Sequence, residues 1–280
     1  MIEKSKSDRK TQKGFLTNLL MKVFNEDQTA VIIPLIGFAI LVAWTAIKIS
    51  IHGQTDLRME DIIITLLGLS LLLYQTGLSK YQQEKDFIVL YLLLLILFFL
   101  VVIPLITLLA TESYHDFMTY SELTFVTNPV IFMARLFGAN VNLELDPYNP
   151  EITNYIDFFY QGRLIRLGVG LTCSGIYTFG LFFSAFMAFV LVVYKRFDRY
   201  ILVALILGAF VTWAANIFRM LIIVLVGAAY GFSALFFVHM YVGIVIFVLF
   251  ASVFWLLIVR WLDVKEGVRE KAEEKPDAAS

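Results

Sequence analysis

The sequence is dominated by apolar stretches that are long enough to cross a lipid bilayer. A helix needs about 20 apolar residues to span the hydrocarbon core. Six stretches meet this length, at roughly 30–50, 61–79, 87–110, 173–194, 200–226 and 234–260. The chain is 60% hydrophobic and 16% charged, whereas soluble domains average about 45–50% apolar and about 25% charged residues. These features predict an all-α polytopic membrane protein and exclude a soluble domain.

Basic residues are distributed unevenly between the segments that connect the predicted spans. Lysine and arginine concentrate in residues 1–29 and next to the spans at Lys195, Arg199 and Arg260, whereas the alternate segments hold few of them. Because cytoplasmic segments carry the excess of basic residues, we expect a multi-pass cell-membrane protein with both termini cytoplasmic. The net charge is −1, so we expect no nucleic-acid partner.

These patterns divide the chain into five parts. Residues 1–29 form a basic cytoplasmic tail, in which 14–24 are either an amphipathic helix or a partly ordered tail. Three transmembrane helices occupy 30–110, an extracytoplasmic loop 111–172, the remaining transmembrane helices 173–263, and a charged cytoplasmic tail 264–280. The loop ends in two segments, 153–160 and 164–171, that flank Gln161-Gly162-Arg163 and predict a short β-hairpin. The fifth span is longer than the bilayer is thick. Three explanations stay open: a tilted helix, a break near Arg219, or continuation of the helix beyond the bilayer.

Three polar residues lie at the same predicted depth in consecutive spans. Cys173 precedes Lys195 by 22 residues, Arg219 follows Arg199 by 20, and His239 precedes Arg260 by 21. At 1.5 Å per residue these separations are all about 30–33 Å. The spans run in alternating directions, so all three side chains are expected at the extracytoplasmic rim.

A thiol, a guanidinium and an imidazole at one depth suggest nucleophilic catalysis. Cys173 would lie at a helix N-terminus, whose partial positive charge favours the thiolate. His239 can exchange a proton near neutral pH, and Arg219 stays cationic and can hold an oxyanion. Asn216 shares a helix face with Arg219, and Gly243 shares one with His239.

Structural explanations exist for each residue taken alone. A buried cysteine is usually a small packing residue, Arg219 could extend to the membrane interface, and His239 could pack at the interface. Two other functions therefore stay open: a non-enzymatic membrane scaffold or channel subunit, and a lipid acyltransferase that uses Cys173 as acyl carrier. The chain has a single cysteine and lacks a zinc-helix motif, so we expect no metal and no other cofactor.

The motifs around these residues resemble those of one known family. They are Cys173-Ser174-Gly175 at a helix entrance, and Asn216-x-x-Arg219 and His239-x-x-x-Gly243 in the two following spans. With these motifs, the chain resembles the exosortase/archaeosortase family over about residues 153–260.

The resemblance implies a membrane cysteine protease that acts as a transpeptidase. Cys173 would be the nucleophile, Arg219 the transition-state residue and His239 the acid/base, on the extracytoplasmic side. The implied substrate is a secreted protein that ends in a Pro-containing motif, a transmembrane helix and a basic tail. Its new C-terminus would pass to an acceptor, a lipid in the archaeal branch. Membrane lipids are the other expected partners.

Overall fold

The computed structural model describes residues 25–52, 59–74, 81–110, 114–146, 152, 154–170 and 173–273. Helices make up most of it, and a three-stranded antiparallel sheet is inserted between them. The amphipathic segment expected at 14–24 lies outside the described residues.

Five helices in the described part are long and apolar enough to cross a bilayer. They are Val31–Ser50, Gln82–Leu105, Ile176–Tyr194, Arg199–Tyr230 and Phe232–Lys265, and each coincides with a predicted stretch. The remaining predicted stretch, the second along the chain at roughly 61–79, corresponds to the shorter apolar helix Asp61–Leu72. The predicted class, a polytopic helical membrane protein, is confirmed.

The first of two compact units comprises the chain up to Ile103 together with Ser184–Phe197. Helix α1 (Glu26–His52) packs on α2 (Met59–Leu72), which packs on α3 (Gln82–Leu97). Ile33, Leu67 and Val89 belong to the buried cluster that joins these helices. Asp61 ties α1 to α2, because it accepts a hydrogen bond from Trp44 Nε1 at 3.1 Å and pairs with Lys48.

The second unit comprises Pro104–Phe183 and Asp198–Ser280 and contains every predicted site residue. It begins with α4 (Ile103–Ala110) and α5 (Tyr114–Glu122), followed by a π-helical turn (Leu123–Thr127) and α6 (Asn128–Leu136). Trp213 Nε1 donates to the carbonyl of Phe125 at 2.8 Å, which ties this π-helical turn to the long helix described next.

The longest helix of the second unit is α8 (Arg199–Tyr230), which follows α7 (Ile176–Phe189). The Asp198 carboxylate caps it by accepting from the amides of Tyr200 and Ile201, both at 2.9 Å. Its 32 residues correspond to about 48 Å, more than a bilayer core of about 30 Å. The helix is continuous through Arg219, so its excess length does not come from a break there.

The last helical stretch combines α9 (Phe232–Phe237), a π-helical turn (Val238–Val242) and α10 (Gly243–Glu273). Helix α10 packs along α8. It continues ten residues beyond 263, where we expected the cytoplasmic tail to begin.

The sheet consists of β1 (Val141–Leu145), β2 (Asn154–Tyr160) and β3 (Arg163–Val169) in that order. Strands β2 and β3 form the predicted hairpin around Gln161 and Gly162, with Asn154 opposite Val169. Strand β1 was not predicted. Phe158 of β2 is fully buried in a cluster with Val126, Val224 and Cys173. The sheet therefore shares the hydrophobic core into which the chain continues at Cys173.

Candidate functional site

A small cavity lies between α7, α8 and the helical stretch that contains His239. Its volume is about 200 Å³. The described residues that line it come from all three helical stretches: Thr178, Ala215, Asn216, Arg219, His239, Gly243 and Phe247. The structure thus brings four of the predicted site residues to one cavity, namely Asn216, Arg219, His239 and Gly243.

Two polar atoms in this cavity have no hydrogen-bond partner among the described residues. They are Nε of Arg219 and Nδ1 of His239, and both are shielded from solvent. Leaving a buried polar group unpaired costs about 1–3 kcal/mol, so native proteins rarely tolerate it without a functional reason. Both nitrogens belong to residues that line the cavity, so the cavity wall carries hydrogen-bonding groups that the described residues leave unused.

Local backbone geometry places His239 at the cavity. His239 lies in the π-helical turn Val238–Val242, directly before Gly243. Such turns insert one extra residue into an α-helix and occur frequently at functional sites. The sequence analysis did not predict this turn.

Gly243 allows Arg219 to pack closely against α10. A Cβ atom added at Gly243 would lie 2.7 Å from Arg219 Nε and 3.2 Å from Cδ. Any side chain at this position would therefore displace the guanidinium. The glycine has a specific role here, since it makes room for the cationic side chain at the cavity wall.

Cys173 lies in the turn that connects β3 to α7. The amides of Cys173 and Ser174 both donate to the carbonyl of Gly170, at 2.8 and 2.9 Å. Ser174 Oγ accepts from the amide of Ile176, where α7 begins, at 3.3 Å. Cys173 therefore precedes a helix N-terminus, as the sequence predicted.

Asn216 connects this turn to the cavity. Its side-chain Nδ2 donates to the carbonyl oxygen of Cys173 at 3.1 Å, in a buried hydrogen bond. Gly175 has a φ of +81°, and a Cβ atom there would lie 2.7 Å from Asn216 Nδ2. The Asn216 side chain thus packs closely against the turn that it holds, and Arg219 follows it by three residues on α8.

Cys173 itself is buried, with 6% of its surface exposed. It belongs to the apolar cluster that includes Ile217 and Met220. Among the described residues that line the cavity, Cys173 is not present. The structure therefore brings Asn216, Arg219, His239 and Gly243 to the cavity but does not place Cys173 on its lining.

Three lining residues were missed in the sequence analysis, namely Thr178, Ala215 and Phe247. Phe247 follows Gly243 by four residues and His239 by eight, so helical spacing alone placed it on the same face. Thr178 is a polar residue in the first turn of α7, near Cys173 in sequence. Its hydroxyl group marks it in the sequence as a polar residue within an apolar span, but its place at the cavity depends on how α7 packs against α8.

The described residues contain no group of three or more histidine, cysteine, aspartate or glutamate side chains that could hold a metal ion.

The helices and the cavity define a multi-pass membrane protein in which two basic side chains, Arg219 and His239, line one cavity of the helical bundle. The family model described as transmembrane exosortase matches residues 19–256, which is most of the chain. The protein belongs to the transmembrane exosortase family, and the resemblance seen in the sequence motifs is confirmed. No curated protein and no solved structure gave a match.

Proposed function

We propose that the protein is a membrane cysteine transpeptidase that processes secreted proteins at a C-terminal sorting signal. The substrate would carry a Pro-containing motif, a transmembrane helix and a basic tail, as the family resemblance implies. The observation that carries the proposal is the cavity in which the unpaired nitrogens of Arg219 and His239 lie beside Asn216, which holds Cys173. We further propose that the cavity faces the cell exterior and that both termini are cytoplasmic, because of the distribution of basic residues.

The first chemical step would be acylation of Cys173. His239, as neutral imidazole, accepts the thiol proton while the sulfur attacks the carbonyl carbon of the scissile peptide. The new C–S bond forms as the carbonyl oxygen becomes an oxyanion. The guanidinium of Arg219 stabilises this charge, since it cannot lose its own proton at any accessible pH.

Collapse of the intermediate then breaks the C–N bond. Imidazolium of His239 donates its proton to the departing amine, and the substrate's N-terminal part remains as a thioester on Cys173. A hydroxyl or amine of an acceptor, for which we propose a lipid headgroup, attacks the thioester. His239 takes the proton of this nucleophile and returns it to the sulfur, which restores the starting thiol.

The proposal is tested by substitution of the nucleophile in cells that contain a candidate substrate. Cys173→Ala should leave the uncleaved precursor accumulating in the membrane, and Cys173→Ser should retain at most slight processing, because a hydroxyl is harder to deprotonate. Ile223→Val is the matched control, since it also removes one heavy atom from the same buried cluster. The proposal is wrong if Cys173→Ala processes the precursor normally.

One observation favours a second candidate, a non-enzymatic membrane scaffold. Cys173 is buried among apolar side chains, as expected for a cysteine that serves only packing. A thiol reagent that cannot cross the membrane distinguishes the two functions. The transpeptidase requires that reagent added outside the cell modifies Cys173 and stops processing. Complete protection of the thiol, in a cell that contains substrate, would support the scaffold.

A further inference from the structure

A large apolar groove runs along α8 and α10, apart from the polar cavity. Its volume is about 620 Å³, which falls within the range of about 300–1,000 Å³ typical of ligand sites. Two residues of α8 and seven of α10 line it: Leu207, Val211, Leu249, Phe250, Val253, Phe254, Leu257, Ile258 and Trp261. The groove is open at the surface and its lining is apolar, so in a membrane it is covered by lipid or protein.

The groove lies in line with the polar cavity, although no described residue lines both. On α8 its residue Val211 lies one helical turn from the cavity residue Ala215, and on α10 Phe250 follows Phe247 by three residues. Residues three or four apart lie on one helix face. The polar cavity and the apolar groove therefore lie one after the other on one path, the seam between α8 and α10.

The combined path has the length of a bilayer. From His239 to Trp261 the chain advances 22 residues, which corresponds to about 33 Å of helix against a hydrocarbon core of about 30 Å. The polar cavity occupies one end of this path and the apolar groove the other. An occupant that fills the path would cross the membrane and present its end to Arg219 and His239.

The surface of the groove has the form of a helix-packing surface. Leu249, Val253 and Leu257, spaced four residues apart, form an exposed ridge with 59%, 55% and 65% of their surfaces accessible. Phe254 and Ile258, again four apart, form a buried floor at 8% and 6%. Ridges of residues spaced by four, next to a groove, are the pattern into which a second helix packs.

We propose that this groove binds the transmembrane helix of the protein substrate. The inference rests on the proposed function, because that function supplies a substrate with such a helix. A lipid chain from either leaflet spans only half of the core, so it would not use a path that reaches from one face to the reactive groups. A substrate helix would use the whole path, and docking would raise the effective concentration of the scissile bond at the cavity.

The docking is tested by photocrosslinking in the full-length protein in its own membrane. The photoreactive residue p-benzoylphenylalanine replaces Val253 in the groove or, as a matched control, Val248. Both are exposed valines of α10, at 55% and 52%, but Val248 does not line the groove. The probe is a reporter with a soluble tag and the Pro-containing motif, transmembrane helix and basic tail of one protein from the same genome. A Cys173→Ala background keeps the reporter uncleaved.

We expect a reporter adduct that maps to its transmembrane helix from position 253, and at least about tenfold less from position 248. An adduct with lipid instead of the reporter at 253, an adduct with a second copy of this protein, or equal reporter adducts at both positions would each overturn the inference. Processing that continues in Cys173→Ala cells would instead refute the proposed function, so the two failures are separable.

A groove-filling variant gives an independent measurement. Val253→Trp should lower the preference for the helix-bearing reporter, relative to a soluble peptide with the same motif, by about tenfold, which is about 1.4 kcal/mol of lost docking. Val248→Trp adds the same bulk outside the groove and should retain the preference. An unchanged preference in Val253→Trp would contradict helix docking.

Discussion

A buried carboxyl group in the second unit should make the protein less stable as the pH rises. Glu122 ends α5 and has 5% of its surface exposed. Burial raises the pKa of its carboxyl from the ordinary value of 4.5 to about 7, although a hydrogen bond with Asn154 partly offsets the rise. Asn154 is itself fully buried in β2 and donates to the carbonyl of Thr119 at 3.1 Å.

The size and sign of the effect follow from proton linkage. Each pKa unit corresponds to about 1.4 kcal/mol, so a rise from 4.5 to about 7 amounts to about 3 kcal/mol. The folded state binds the proton more tightly than the unfolded state, so the free energy of unfolding falls as pH rises through this window. Below about pH 4.5 the carboxyl is neutral in both states and has no such effect.

Glu122→Gln should therefore stabilise the protein above about pH 7 and have little effect below about pH 4.5, because glutamine keeps the shape and the acceptor without the charge. The measurement is the free energy of unfolding by denaturant in detergent micelles across this pH range. Glu144→Gln, which removes an exposed carboxylate of β1, controls for the loss of one charge. The reasoning fails if Glu122→Gln is no more stable than the wild type at about pH 8.

Three further substitutions test the geometry of the candidate site. Asn216→Ala should destabilise the fold by about 1–3 kcal/mol, because the Cys173 carbonyl loses its buried donor, and should slow processing more than it lowers the amount of protein in membranes. Gly243→Ala should slow processing by about a hundredfold, because a Cβ atom 2.7 Å from Arg219 Nε displaces the guanidinium. A displacement of about 1 Å at a reactive group costs about this much in rate. The thermal stability of the variant is measured in parallel. Gly175→Ala should lower both processing and the thermal midpoint, because its Cβ atom would lie 2.7 Å from Asn216.

Gly138→Ala is the matched control for the glycine in the turn. Gly138 has a φ of +80°, close to the +81° of Gly175, but an added Cβ atom would meet nothing within 4 Å. Both variants share the backbone strain of about 1–2 kcal/mol, so the difference between them measures the clash with Asn216. Equal losses of processing in the two variants would show that the clash has no role at the site.

Local patterns in the sequence were sufficient for the membrane-spanning architecture. Apolar length predicts a spanning helix directly, because the bilayer is the solvent and its thickness is known. The hairpin around Gln161 and Gly162 was equally local, since its turn and strands lie within 16 residues. Strand β1 was missed because its pairing with β2 crosses a connection of eight residues, from Asp146 to Thr153, without a hairpin turn signal.

The sequence by itself determined that helices cross a membrane, and its charge spacing predicts one depth for Cys173, Arg219 and His239. Depth follows from 1.5 Å per residue, but the direction in which a side chain points depends on how neighbouring helices pack. Only the tertiary structure therefore decided which residues line the cavity, that Cys173 is buried with its carbonyl bound by Asn216, and that Glu122 is enclosed away from water. The apolar groove beside the cavity is likewise a property of packing between α8 and α10, because no single helix contains it.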